Sequence, residues 1–125
     1  MKYRKINSPQ VPEPPGGIYS NCLVVGDQIF MAGMTSSGDG MEAQARAVFL
    51  KIKNLLEAAG ATMADIVKMT VYVTDISKRP EFGKVRNEVF PGDKPCSTLV
   101  QVSALAAPDW LVEVDVTAIK GVSRS

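Results

Sequence analysis

Two carboxylates near the end of the chain, Glu113 and Asp115, are the residues whose spacing most readily suggests chemistry. They sit two apart in a run where Val112, Val114, Val116 and Ala118 alternate with Leu111, Glu113, Asp115, Thr117 and Ile119. Period-two alternation is the mark of a half-buried strand, so both acids project from one face in line with aliphatic neighbours. Burial beside apolar groups disfavours the charged form of a carboxyl and can move its pKa towards useful acid–base work. The chain has no histidine, which excludes Ser-His-Asp and Cys-His catalysis and histidine-ligated zinc. Cys22 and Cys96 lie far apart without CxxC spacing, so they cannot build a thiolate zinc site and read as two reduced thiols. Chemistry here must run on carboxylates, hydroxyls, a thiol, backbone groups and water, with no cofactor or metal implied.

The elements that must position these acids follow from local pattern. A preceding run, Cys96 to Leu105, alternates too: Thr98, Val100, Val102 and Ala104 point one way, and Ser97, Leu99, Gln101 and Ser103 the other. The break from Ala106 to Trp110 suits a hairpin or close neighbours, with Trp110 packing as its cap. Tyr19 to Val25 and Ile29 to Thr35 read as strands joined at a Gly26-Asp27-Gln28 turn, and Ile66 to Thr74 as a third. Met41 to Ala59 is a helix with Ala45, Val48, Phe49, Ile52, Leu55, Leu56 and Ala59 on one stripe and Gly60 as its stop. Pro80 opens a second helix with Phe82, Val85 and Val89 inward. Thr62 and Asp65 make a short capped turn. Ser8 to Gly17, with four prolines and two glycines, is an irregular loop at the surface or beside a site. Tyr3 and Ile6 could dock a further first strand.

These elements make an α+β chain of about five to six strands with two helices. At 125 residues it is a single domain, 1–125. Two helices cover only one face of such a sheet. The other face, expected to carry Leu99, Leu111 and Ile119 among polar residues, is left for self-association. A net charge of +1 gives no electrostatic case for nucleic acid or a membrane, and without a long apolar run or a signal-like start the expected setting is cytoplasmic.

Pro95, a four-residue gap, Val100-Gln101-Val102, Leu105 and then Leu111-Val112-Glu113-Val114 resemble the closing signature of the YjgF/RidA family of reactive-intermediate deaminases. Gly16-Gly17-Ile18-Tyr19, Gly26-Asp27-Gln28, Ala32-Gly33 and Phe90-Pro91-Gly92-Asp93-Lys94-Pro95 are similar to it in the same order. The resemblance implies a chorismate-mutase-like fold, a homotrimer with clefts between subunits, and hydrolysis of an enamine or imine to a carbonyl compound and ammonia. It places the water-positioning glutamate on Glu113 and the early aromatic on Tyr19. The cleft-lining glycine falls on Gly33, and the serine before it on Ala32. The arginine that grips a substrate carboxylate falls on Ser97, next to Cys96, and the family's cysteine falls on Leu99. Serine supplies neither the charge nor the fork of arginine, so either Arg86 or Lys94 compensates or the substrate differs. The other functions to weigh are a small-ligand-binding trimer without catalysis and a ribonuclease or translation inhibitor; near-neutral charge, absent histidine and the lack of basic or aromatic clusters weigh against the last.

Overall fold

A computed structural model describes residues 2–124 of the chain. Six strands form one sheet: β1 (Arg4–Lys5), β2 (Cys22–Val25), β3 (Gln28–Met31), β4 (Ile66–Val73), β5 (Cys96–Gln101) and β6 (Val112–Ile119). Their spatial order is β1-β2-β3-β6-β4-β5. All neighbours are antiparallel except β4 and β5, which run parallel. Two helices, α1 (Met41–Ala58) and α2 (Arg79–Val89), cover one face. The mixed sheet with two helices agrees with the α+β fold expected from the sequence, including the additional first strand. Among the described residues no helix is long and apolar enough to cross a membrane.

The core follows from the two periodicities. From β6, Val112, Val114, Val116 and Ala118 are buried, as are Ile66, Met69, Val71 and Val73 of β4. Against them α1 lays Ala45, Val48, Phe49, Ile52, Leu55 and Leu56, and α2 lays Phe82 and Val85. Phe49 ties the helices together, with its ring centroid 5.8 Å from both Phe82 and Phe90. Gly60 ends the first helix at φ 82°, a left-handed conformation that glycine adopts without Cβ strain. Two buried polar side chains close the layers. Gln44 donates to the carbonyls of Gly38 and Asp109 and accepts from the Leu111 amide. Asp65 accepts from the Thr62 and Ser123 amides and the Ser123 hydroxyl, so the capped turn seen in the sequence also fastens the end of the chain.

Three expectations need correction. No hairpin joins β5 to β6: β4 lies between them and pairs with both, and the connection from Val102 to Leu111 is ten residues of non-strand chain. The physical reason is the crossover through α2, which brings β5 alongside β4 in parallel, as strand–helix–strand connections do. Second, Leu99 and Leu111 pack against the helix-side core and not on the open face. Leu99 is the register partner of buried Val71 and so shares its face; Ile119 does lie on the open side, opposite Gln28. Third, the first hairpin is shorter than its alternation suggests, spanning Cys22–Val25 and Gln28–Met31, because the chain beyond leaves β3 to bond β6 through Met34.

Candidate functional site

The sheet face away from the helices carries Lys68, Thr70 and Tyr72 from β4, Cys96, Thr98 and Val100 from β5, and Glu113, Asp115, Thr117 and Ile119 from β6, as the registers with the buried positions require. Phe30 joins them from β3, 44% exposed. Glu113 is half-buried in the middle of this row. Its surroundings are fixed from three directions.

The first is the Ala32–Thr35 segment. The Met34 amide donates to the Val114 carbonyl at 2.8 Å and the Val114 amide returns a bond to Met34 at 3.1 Å, which presses the segment onto β6. Gly33 therefore lies directly against the Glu113 side chain. A Cβ at Gly33 would stand 2.7 Å from Glu113 Cδ and 2.9 Å from Cγ, and closer still to Oε2. Glycine is required here by volume: the carboxylate occupies the space of the missing methyl group. The second neighbour is Tyr72, directly across from Glu113 in the β4–β6 register. The third is Asp115, whose Oδ2 accepts a 3.2 Å hydrogen bond from the Tyr72 phenol.

This environment acts on proton affinity. Burial raises the Glu113 pKa above the ordinary glutamate value, and the negative charge of Asp115 raises it further. Asp115 also raises the Tyr72 pKa, so the phenol stays protonated and remains a donor. A carboxylate with raised basicity, accessible from the uncovered face, can orient a water molecule and take its proton.

Of the residues singled out in the sequence, Gly33 and Glu113 are brought together. Ala32 is half-buried against the core at the entry to the Gly33 segment, with its amide bonded to the Asn21 carbonyl. Tyr19 lies two residues before Asn21, half exposed, with Ile18 beside it 75% exposed. The proline-rich loop leading there is anchored, because the Asn21 side chain donates to the carbonyls of Val11 and Pro12. Cys96 is exposed on the Glu113 face at the outer strand, opposite Lys68. Cys22 is buried, and burial together with Glu13 pushes its thiol up to about 11. Ser97 and Leu99 are not gathered with Glu113: they are partners of Met69 and Val71 and face the helix side. Arg86 lies over the Phe82 ring, 5.8 Å from its centroid, and Lys94 Nζ donates to the Phe90 carbonyl at 2.9 Å. Both cations thus lie on the helix side of their own chain, and the buried Arg86 Nε has no hydrogen-bond partner among the described residues.

Tyr72 was missed by sequence reasoning. Its signal was present in the alternation of β4, which puts Tyr72 opposite to buried Val71 and Val73, but the register that faces it with Glu113 is a tertiary fact. Three cavities among the described residues lie elsewhere: one of about 490 Å³ by Tyr3 and Val24, one of about 300 Å³ between α1 and α2, and one of about 590 Å³ by Phe90 and Ser123. Glu113 lines none of these three.

A two-layer domain with a mixed six-stranded sheet, both helices on one side and a glycine-backed carboxylate on the other defines a class, and the family model described as Endoribonuclease L-PSP matches it over residues 10–120. The chain belongs to this family, known also as YjgF/RidA. It is 36% identical over 129 aligned residues to a RutC family protein of Pyrococcus abyssi, covering 96% of this chain and 99% of that one. Among solved structures, a protein of unknown function from Pseudomonas aeruginosa superposes with a TM-score of 0.90 at 38% identity, covering 95% of this chain and 93% of the other. A member of the YjgF/YER057c/UK114 family from Mycobacterium tuberculosis gives 0.84 at 34% identity, covering 94% and 99%. RidA from an Antarctic Psychrobacter gives 0.87 at 29% identity, covering 93% and 98%.

Proposed function

We propose that this protein hydrolyses a small enamine or imine, with Glu113 as the group that holds and deprotonates water. The observation that carries this reading is the Glu113 carboxyl held against Gly33 on the uncovered sheet face, with its proton affinity raised by burial and by Asp115. Membership of the family that includes RidA supports a small-molecule deaminase or a related role. In the reaction, water oxygen bonds to the imine carbon while one of its protons passes to Glu113. Glu113 returns that proton to the nitrogen, and as the C–N bond breaks the hydroxyl proton also passes to nitrogen, so ammonia leaves and a carbonyl group remains. No oxidant or cofactor is consumed. Because imines already hydrolyse in water, positioning and one proton transfer are sufficient catalysis.

The site is open in one chain, and the proposal includes a homotrimer in which neighbouring copies cover the face bearing Phe30, Val100 and Ile119. Ser97 and Glu113 lie on opposite faces of one sheet, so a cleft holding both takes them from two copies. Light scattering is expected to return about 40 kDa, three times the 13.4 kDa chain; a stable monomer counts against the cleft. The chemistry is tested by ammonia release from a panel of imines generated in place by amine and amino-acid oxidases. Glu113→Gln is expected to lower turnover about 100-fold or more while the fold is kept, within the usual span of general-base contributions. Undiminished turnover in the variant removes Glu113 from the mechanism. The family model's description names an endoribonuclease, but a net charge of +1 and the absence of histidine do not favour RNA cleavage.

A further inference from the structure

The charged side chains of α1 divide into two kinds. Arg46 pairs with Glu42 at 3.4 Å and with Glu88, Lys84 reaches Glu42 at 3.1 Å, and Lys53 approaches Glu57 at 3.9 Å, all at the solvent surface. Lys51 joins none of these pairs. It is partly buried, and its ammonium donates to the Thr35 carbonyl at 2.6 Å. Thr35 stands two residues past Gly33, at the end of the segment that lies against Glu113. About two helical turns before Lys51, on the same flank of α1, Gln44 accepts from the Leu111 amide, two residues before Glu113. Gln44 also donates to the Gly38 and Asp109 carbonyls. One helix therefore grips the chain on both sides of the Gly33–Glu113 contact.

The Gly33 segment has little else to hold it. Strand β3 ends at Met31, and from there to Thr35 the backbone is fastened by the Ala32 amide on the Asn21 carbonyl and by the Met34–Val114 pair. After Thr35 the chain runs into the exposed stretch Ser37–Gly40, whose next tie to α1 is at Gly38. A segment that opens onto a solvated loop frays unless its last polar groups are held, and a charged donor makes the stronger bond. We infer that Lys51 is a positioning residue: by holding Thr35 it keeps Gly33 pressed on Glu113, and so fixes where the carboxyl lies and how much water reaches it. The catalytic consequence rests on the hydrolase reading above, whereas the hold on Glu113 does not. Lys51 acts here through the backbone and not by its charge. The ionisable groups nearest Glu113 on its face are Asp115 of β6 and Tyr72 of β4, with Lys68 further along β4 opposite Thr117. Burial and Asp115 are what raise the proton affinity of Glu113.

Lys51→Met keeps the stem and removes the donor. In the intact protein, carbon-13 NMR of the Glu113 carboxyl, assigned with Glu113→Gln, follows its titration without any substrate. The midpoint in Lys51→Met is expected to fall towards the ordinary glutamate range, because a loosened segment lets water reach the carboxyl. Loss of a cation acting through space would raise it instead. On imines generated in place, kcat should fall about tenfold with KM within about twofold of the parent, since Lys51 shifts the reacting group without touching substrate. Lys51→Arg, which retains a charged donor, should recover most of both effects, and urea unfolding of each variant separates them from loss of fold. Lys51→Gln, too short to reach Thr35, serves as the same test if Lys51→Met does not fold. A midpoint that stays or rises overturns the inference, as does a parent-like kcat on an imine that the parent accelerates. If the parent accelerates no imine, the hydrolase reading fails, and the titration alone decides whether Lys51 holds Glu113 in place.

Discussion

Gly33 makes the sharpest demand of any single residue. Its missing side chain is the space in which the Glu113 carboxyl lies, and no left-handed backbone angle is involved. Gly33→Ala meets the movable end of a side chain, so the fold should lose less than about 1 kcal/mol. Activity should fall about 100-fold or more, because an ångström of misplacement at the reacting group has that scale of effect. Urea unfolding and initial rates on one preparation check both halves; unchanged turnover would mean that the carboxyl's position is immaterial. Asp115 acts on the same carboxyl by charge. Since Glu113 titrates above its ordinary value, activity needing its anion should fall as pH drops through that raised value. Asp115→Asn removes the raising charge, so the acid limb of the pH–rate profile is expected to move to lower pH. A limb that stays in place would show that burial alone sets the basicity.

At the scale of elements, the alternation of β6 was legible down to the face on which Glu113 emerges, because a strand buried on one side writes its period into the sequence. Both helices were legible for the corresponding reason, with Phe82, Val85 and the α1 stripe spaced as a single face requires. The neighbour of β5 was not. Nearness in sequence suggested β6, while the intervening helix between β4 and β5 was itself the sign of a parallel crossover, and that sign outweighs proximity. The error had a local cost: it put Leu99 on the open face and left Tyr72 out of the site. Gln44 was also invisible, since a polar residue on a helix gives no hint that its amide will reach across to Asp109 and Leu111. Gln44→Leu keeps the bulk but strands the Leu111 amide and two carbonyls, and should cost about 2–4 kcal/mol. Thermal or urea unfolding measures it, and a loss below about 1 kcal/mol would mean that water replaces the side chain.

For the molecule as a whole, Asp65 links acidity to stability. Burial by itself would raise its pKa, but hydrogen bonds from Ser123 and Thr62 win and hold it down to about 2. Its contribution is therefore complete above the ordinary aspartate value of 3.8 and disappears as pH falls through about 2. The corresponding stability is on the order of 2 kcal/mol. Asp65→Asn should remove most of the difference in unfolding free energy between pH 5 and pH 2 that this residue supplies, measured by denaturant titration at each pH. A variant with the same acid sensitivity as the parent would place the acid-labile group elsewhere. The exposed cluster of Arg46 with Glu42 and Glu88 carries no comparable prediction, because solvent screens it.

The position of β6 has a consequence for how the chain comes into being. It follows the other five described strands in chain order and so leaves the ribosome after them, yet in space it stands between the β1–β3 meander and the β4–β5 pair. Until residues 112–119 emerge, two half-sheets exist with raw edges facing each other and nothing to bridge them. Joining of the two half-sheets is thus postponed until β6 has been made, and such long-range pairing is intrinsically slow; a nascent chain stalled before Val112 would expose both edges to other chains.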